Sequence, residues 1–340
     1  GVRRQRQMCI RDRFCGGENI EDCAVTIKKL YASGLGSVLD YSIEGEENEE
    51  TFDSTCDEIC RTIERSSGDP SIPFCVFKMT GVGRFELLEK KGQGKELDNE
   101  EENEFLRIRN RVHRICSLAS EKKVRVFIDA EESWIQQAID DITDNMMQEF
   151  NVNGRVVVFN TIQHYRTDRY EFLIESHRKA LAGGYILGVK LVRGAYMEKE
   201  RDRALKLGYP SPIHATHADT NADYDRALVY CMDHIDSIEV CAGTHNEKSS
   251  LLLTSLMKEK AIDPSDDRIW FSQLLGMSDH ISYNLAHAGY NVAKYVPYGP
   301  VKAVLPYLIR RAQENTSIAG QMGRELKMII SEQRRRKGRS

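Results

Sequence analysis

The chain has 340 residues, a formal net charge of -4 and a pI near 6.2, so its overall charge predicts no nucleic-acid partner. No apolar run reaches the ~18 residues that span a bilayer, and the N-terminus lacks the apolar segment of a signal peptide. The nine cysteines lack paired short spacings, which favours reduced thiols and a cytoplasmic protein over a disulfide framework.

The two ends of the chain differ in composition from the sequence between them. Residues 1–13 are strongly basic and contain no initiator Met, so we expect a non-native or disordered leader. Residues 14–325 are expected to form one domain. The basic tail, residues 326–340, is expected to be a solvated end, with peripheral contact to the anionic surface of the inner membrane as the alternative.

Amphipathic segments predict helices on the outside of that domain. Residues 20–33 have helical apolar spacing and are followed by Gly34, a residue that often ends a helix. Residues 99–119 and 167–181 are charged amphipathic segments of the same kind.

Eight short apolar runs alternate with these helical segments. Such an alternation predicts βα units with a parallel sheet, and eight units close a (β/α)8 TIM-like barrel, here with additional helices at both ends. The predicted strands are residues 37–43, 73–77, 124–128, 156–160, 186–192, 238–243, 269–272 and 291–294. The active site of such a barrel lies at the C-terminal ends of its strands.

Charged residues stand at several of these strand ends. Lys78 follows strand two and Arg193 follows strand five, while Arg310 and Arg311 lie in a helix predicted to begin near Pro300. Several cations around one barrel mouth favour anionic ligands such as a carboxylate and a pyrophosphate. A surface arginine pair remains the alternative for Arg310 and Arg311.

Two acidic residues complete the predicted site. Glu44 ends strand one and Asp129 ends strand three, where nearby cations would offset the cost of burying them. A purely structural ion network is the alternative. The segment from Met79 to Arg84 has neither of the common glycine-rich phosphate spacings.

No metal site is predicted. Cys56 and Cys60 lie one helical turn apart and are interpreted as helix packing, because no second ligand pair accompanies them. His214 and His217 form a lone H-x-x-H pair, which is a weak metal signal.

Several motifs occur in an order and spacing that resemble the proline dehydrogenase family. The motifs are Phe14–Glu18, Leu39–Glu44, Lys190–Tyr196, Thr244–Asn246, Gln273–Met277, Tyr295–Gly299 and Arg310–Asn315. The resemblance runs from about Phe14 to Ser317. It implies a monofunctional enzyme, since the length leaves no room for the aldehyde dehydrogenase module of the bifunctional members, and coupling to a separate pyrroline-5-carboxylate dehydrogenase.

The resemblance implies FAD-dependent oxidation of L-proline to Δ1-pyrroline-5-carboxylate, the first step of proline catabolism, with hydride passing from proline C5 to flavin N5 and electrons then to a quinone. Arg310, Arg311 and Lys78 would hold the substrate carboxylate, Asp129 would orient the polar floor, and Glu44 would pair with Arg310 as a gate. The residues implied to surround the proline ring are Ala195, Tyr196, Leu274, Tyr295 and Tyr307. Those implied to contact FAD are Gln163, Lys190, Val192, Arg193, Gly194, Thr216, Thr244, His245, Asn246 and Glu314.

Two alternatives stay open on the sequence. A hydroxyproline dehydrogenase of the same fold would have a smaller residue at position 295, so Tyr295 favours proline. A non-catalytic barrel that binds an anionic metabolite belongs to a different functional class, and the absence of a flavin absorption spectrum would identify it.

Overall fold

Eight parallel strands close into one barrel. The structure is a computed structural model that describes residues 13–41, 48–300 and 304. Each strand pairs with the next one along the chain, and β8 pairs with β1. This arrangement confirms the predicted (β/α)8 fold. The strands are β1 Gly36–Tyr41, β2 Phe74–Lys78, β3 Arg125–Asp129, β4 Val158–Gln163, β5 Leu187–Val192, β6 Ile238–Gly243, β7 Ile269–Leu274 and β8 Val292–Tyr298.

Helices surround the barrel and connect its strands. They are α1 Ala24–Tyr31, α2 Glu49–Ser66, α3 Phe85–Gly92, α4 Asn99–Lys122, α5 Ser133–Phe150, α6 Arg169–Gly183, α7 Met197–Leu207, α8 His217–Asp233, α9 Glu247–Glu259 and α10 Asp279–His287, with a 3-10 turn at Met79–Gly81. Within the described ranges, no helix combines the length and the apolar character that crossing a bilayer requires.

The outer core lies between these helices and the strands. On α2, Phe52, Cys56, Ile59 and Ile63 follow helical spacing and are almost fully buried. Burying an Ile or Phe side chain stabilises a fold by about 1.5–3 kcal/mol each, so this face attaches α2 to the barrel. Cys60 belongs to the same core cluster as Cys56, Ile59 and Ile63, as the interpretation of the two cysteines as helix packing requires.

The inner face of the barrel changes in character from bottom to top. Phe74, Phe127 and Phe159 fill the lower interior, with the rings of Phe74 and Phe127 stacked at 4.4 Å between centroids. Below them, Arg125 at the start of β3 pairs with the loop residue Asp267 at 2.6 Å. Aromatic side chains close this lower half, and an open cavity lies above them at the C-terminal ends of the strands.

Three strands end two or more residues later than their apolar runs predict. β4 continues to Gln163, β7 to Leu274 and β8 to Tyr298, because backbone pairing continues beyond the last residue of each apolar run. β8 even includes Pro297, which keeps its carbonyl as an acceptor for the backbone N–H of Gly16 at 2.8 Å.

The segment before α1 also differs from its predicted helix. Helix α1 begins at Ala24 and not at Ile20, since the side chains of Asn19 and Asp22 accept backbone hydrogen bonds and form a turn there. Gly17 pairs with Tyr298 as an isolated parallel bridge, so this segment lies along the end of β8. Arg13, the last residue of the predicted leader, donates from Nε to the Gly276 carbonyl at 3.3 Å.

Candidate active site

A cavity of about 550 Å³ opens at the C-terminal ends of the strands. Its walls come from the strand ends and from the loops after β3, β5 and β6. The lining residues are Asp40, Lys78, Asp129, Ala130, Thr161, Gln163, Lys190, Val192, Arg193, Gly194, Ala195, Tyr196, His217, Asn221, Gly243, Thr244, His245, Asn246, Ser272, Gln273, Leu274 and Tyr295.

The floor of the cavity is a network centred on Asp129. Its carboxylate accepts a hydrogen bond from the ammonium of Lys190, and Oδ1 lies 3.3 Å from the Tyr295 hydroxyl. The ammonium of Lys78 lies 3.9 Å from Oδ2. Lys190 also donates to the Tyr295 hydroxyl, so a carboxylate, two ammonium groups and a phenol meet at one point.

Asp40 adds a second carboxylate that the sequence did not single out. It is buried on β1, and its Oδ2 lies 3.9 Å from the Lys78 ammonium, the same distance as Asp129 on the other side. Burial and the charges of Asp129 and Asp40 raise the pKa of Tyr295 well above its usual value, so its hydroxyl stays protonated. Tyr295 therefore keeps a hydrogen-bond donor inside the cavity.

The inward direction of these residues follows from the two-residue period of a strand. Asp40 stands two residues after the interior residue Val38, and Asp129 two after the interior residue Phe127. Counting by two from the apolar interior residues therefore places Asp40 in the cavity. That count is the sequence signal that could have identified it.

The wall above β4 and β5 depends on Gln163 and Gly194. The side chain of Gln163 donates from Nε2 to the Glu131 carbonyl at 2.7 Å and accepts from the Ala195 backbone N–H at 3.2 Å. Gly194 has a φ of 134°, and a Cβ there would lie 2.4 Å from the ring of Tyr165. Only glycine fits this position without displacing that ring.

Arg193 forms the cationic wall of the cavity. Its guanidinium donates to Asn221 Oδ1 at 2.7 Å, to Thr244 Oγ1 at 2.6 Å and to Ser249 Oγ at 2.8 Å. It also lies over the ring of Tyr224 at 4.3 Å from the centroid. Burial lowers the pKa of Arg193 from its usual value because desolvation disfavours the charged form. These neutral partners orient the guanidinium without neutralising its charge, which suits an anionic ligand.

Two helices begin beside this wall. The side chain of Asn246 accepts the backbone N–H of Lys248 at 2.9 Å and so caps α9, whose N-terminus is favourable for an anion. Thr216 caps α8 in the same way, because its side-chain oxygen accepts the backbone N–H of Asp219. Thr216 is not among the residues that line the cavity. His217, the next residue, does line the cavity.

The predicted site residues fall into three groups. The structure brings together around one cavity Lys78, Asp129, Gln163, Lys190, Val192, Arg193, Gly194, Ala195, Tyr196, Thr244, His245, Asn246, Leu274 and Tyr295. Thr216 lies at the edge of this group. Glu44, Tyr307, Arg310, Arg311 and Glu314 lie outside the described residues.

The lining also contains residues that the sequence did not single out. Besides Asp40, they include Thr161, Asn221 and Ser272. Thr161 lies in the part of β4 that extends beyond its apolar run, whereas Ser272 is the last residue of the run predicted for β7.

Comparison with known proteins identifies the family. The sequence model described as "Proline dehydrogenase" matches residues 23–324. The chain belongs to the proline dehydrogenase family. Its membership and motifs make it an enzyme of that family, whose reaction is the oxidation of proline in proline catabolism.

Several relatives are similar to this chain over different lengths. The human mitochondrial proline dehydrogenase 1 is 42% identical over 240 residues, which are 70% of this chain and 40% of that protein. The Arabidopsis thaliana mitochondrial proline dehydrogenase 1 is 32% identical, over 96% of this chain and 74% of that protein. The carbapenem antibiotics biosynthesis protein CarD of Pectobacterium carotovorum is 36% identical, over 95% of this chain and 83% of that protein.

Solved structures support the barrel fold of the family. The crystal structure of proline utilization A from Bdellovibrio bacteriovorus, inactivated by N-propargylglycine, superposes with a TM-score of 0.81 at 21% identity. The match covers 91% of this chain and 33% of that one, so the chain spans about a third of that protein.

Proposed function

We propose that this chain oxidises L-proline to Δ1-pyrroline-5-carboxylate, with FAD bound in the same cavity as the hydride acceptor. The observation that carries the proposal is the floor of the cavity, where Lys78, Lys190, Asp129 and Tyr295 meet beneath an apolar wall. Proline presents one carboxylate and one aliphatic ring, and this combination of cations and apolar surface is complementary to both.

Each part of the cavity has a task in this proposal. Lys78 supplies a charge for the substrate carboxylate, and the resemblance adds Arg310 and Arg311 from the C-terminal region. Asp129 and Asp40 hold Lys78 from two sides, so the ammonium is fixed before substrate arrives. Tyr295 and Leu274 provide the wall against which the ring packs and water is excluded.

The other end of the cavity fits a flavin dinucleotide. Arg193 offers an oriented cation, the N-terminus of α9 offers a favourable place for phosphate, and Gly194 allows the lining loop to pack against the ring of Tyr165. When bound there, FAD would supply the hydride acceptor, with the flavin N5 atom facing C5 of proline. The chain itself then has to bind, orient and desolvate the substrate.

Tyr295 favours proline over hydroxyproline. Its ring is nearly buried in the cavity, and its hydroxyl is already engaged by Lys190 and Asp129. A hydroxyl on the substrate ring would therefore face a side chain whose polar atom already has other partners. Burying that substrate hydroxyl without a hydrogen-bond partner is unfavourable.

The partners that we propose are a quinone as the final electron acceptor and a separate pyrroline-5-carboxylate dehydrogenase. The proposed location is the cytoplasm, with peripheral contact to the inner membrane through the basic tail. These proposals rest on the resemblance, on the thiol-rich composition and on the charge of residues 326–340.

Anaerobic mixing of the purified protein with L-proline tests the proposed activity. We expect a yellow protein whose visible flavin absorption is bleached by L-proline and much less by 4-hydroxyproline. Lys78→Met is expected to keep its flavin and to need a higher proline concentration for the same rate, because the variant loses a cation for the carboxylate. A colourless protein, or a flavin that proline leaves oxidised, would refute the proposal.

A further inference from the structure

Glu131 is a buried carboxyl group just outside the cavity. It lies in the loop between β3 and α5, two residues after Asp129, and is 3% exposed. Its Oε1 accepts the backbone N–H of Thr80 at 3.0 Å, and its Oε2 accepts the hydroxyl of Thr80 at 2.5 Å. Thr80 belongs to the 3-10 turn that directly follows Lys78.

The backbone of Glu131 extends this connection to two further strands. Its carbonyl accepts the side-chain amide of Gln163 at 2.7 Å, at the end of β4. The same Gln163 accepts the backbone N–H of Ala195, after β5, at 3.2 Å. Glu131 therefore links the loops that carry the predicted substrate cation to those that carry the predicted flavin wall.

The charges around Glu131 come from several elements. Burial raises its pKa to about 7, while the hydrogen bonds from Thr80 and the charge of Lys78 act in the opposite direction. Glu132 in the same loop raises the pKa further. Other charged groups on the packed elements include Asp129 on β3, Asp140 on α5, and Lys199 and Glu200 on α7. Lys199 donates to Glu132, and Glu200 accepts the backbone N–H of Ser133.

We propose that Glu131 is a positioning residue for the proposed reaction: its ionised carboxylate fixes the turn after Lys78 and thereby sets the affinity for the substrate carboxylate. The inference rests on the proposed function. It assigns no contact between Glu131 and substrate, and it makes the ionised form the one that binds proline well.

The ionised and the protonated forms of Glu131 differ in how many hydrogen bonds the carboxyl group can accept. An ionised carboxylate offers both oxygens to the two donors of Thr80, and charge-assisted hydrogen bonds are stronger than neutral ones. A protonated carboxyl group must place a proton on one oxygen, so the Thr80 hydroxyl has to reverse its role and the backbone N–H loses a charged acceptor. The turn is then held less firmly, and so is Lys78, two residues before Thr80.

Two glutamine variants separate this role from a purely structural one. Glu131→Gln keeps the shape of the side chain and removes its titration. Glu239→Gln is the matched control, because Glu239 is 7% exposed, its pKa is raised to about 7 by burial, and it lies near Arg125 at the opposite end of the barrel.

The pH dependence of stability cannot distinguish these two variants, but substrate binding can. A carboxyl group whose pKa is raised from 4.5 to about 7 destabilises the fold progressively as the pH rises through that interval. Both substitutions therefore remove the same pH-dependent contribution to stability. Only Glu131 lies beside the turn that follows Lys78.

The measurement is anaerobic flavin reduction of the FAD-loaded protein over a range of proline concentrations between about pH 6 and pH 8. For the unsubstituted protein and for Glu239→Gln, we expect the apparent Kd for proline to fall about fivefold across this range, the size of one weakened hydrogen bond. Glu131→Gln should show no such step. The limiting rate of reduction should change much less than the Kd in all three proteins.

Thr80 provides a second pair of variants in case Glu131→Gln folds poorly. Thr80→Ser keeps the hydroxyl and should behave as the unsubstituted protein, whereas Thr80→Val should raise the Kd about fivefold at the upper end of the range. The inference would be overturned if the Kd of Glu131→Gln fell with pH as much as that of Glu239→Gln. Equal Kd values for the two Thr80 variants would also overturn it. An unsubstituted protein that proline fails to reduce would instead refute the proposed function.

Discussion

Replacing Asp129 with asparagine tests how strongly the cavity floor is coupled. Asp129 is the carboxylate beside both Lys190, whose side chain is 5% exposed, and Lys78. Removing one partner of a buried ion pair costs about 3–5 kcal/mol, because the remaining charge is left uncompensated. With an unfolding entropy of about 2.1 cal/mol/K per residue, a chain of 340 residues loses about 1.4 °C of Tm per kcal/mol, so Asp129→Asn should lower Tm by about 4–7 °C.

A double variant distinguishes an uncompensated charge from lost packing. Adding Lys190→Met to Asp129→Asn removes the buried ammonium, so we expect at least about half of the lost stability to return. Proline oxidation should not return, because both residues belong to the proposed substrate floor. Asp267→Asn is the control, since Asp267 is 70% exposed in its pair with Arg125 and should cost less than about 1 kcal/mol.

The assay is thermal unfolding of the FAD-saturated proteins followed by circular dichroism, together with proline-dependent flavin reduction. A loss in Asp129→Asn no larger than that in Asp267→Asn would refute the reasoning. So would a double variant that is less stable than Asp129→Asn alone.

Three further substitutions probe other parts of the cavity. Gly194→Ala places a Cβ 2.4 Å from the Tyr165 ring at a φ of 134°, so the flavin-to-protein absorbance ratio should fall; full flavin content would contradict the proposed wall. Tyr295→Ser should lose proline oxidation and retain or gain activity on 4-hydroxyproline, and equal losses in kcat/KM would limit Tyr295 to packing. Arg311→Met should keep FAD and raise KM for proline strongly, by about 2–4 kcal/mol in binding, whereas an unchanged KM would remove Arg311 from the site.

The barrel could be predicted because each strand carries its own apolar signal. The strands β5 and β6 are buried on both faces, so their apolar runs predict the bounds of both strands to within one residue. The ends of β4, β7 and β8 could not be located in this way. Gln163, Gln273 and Pro297 lie in ladders whose hydrogen bonds are made by the backbone, and polar side chains or a proline conceal such pairing in a sequence.

The site could be predicted only in part for a related reason. Lys78 and Asp129 stand at strand ends, where barrel geometry directs side chains to the mouth, and the structure places both there. Asp40 was missed because it lies inside the predicted first strand, residues 37–43, whereas the site candidates were sought at the ends of the strands. Glu131 was missed because its role depends on contacts with Thr80 and Gln163, which are distant in sequence.

Closure of the barrel joins residues from opposite ends of the described chain. β1 pairs with β8 over six register positions, from Gly36 with Ala293 to Tyr41 with Tyr298, and the segment at Gly16 and Gly17 lies over the same seam. During synthesis on the ribosome, β1 must therefore wait for its partner until seven other strands have emerged. Contacts of such long sequence separation form slowly. Tyr295 lies on the strand that closes the seam, so the substrate pocket would be assembled last, after the strands that carry the flavin wall.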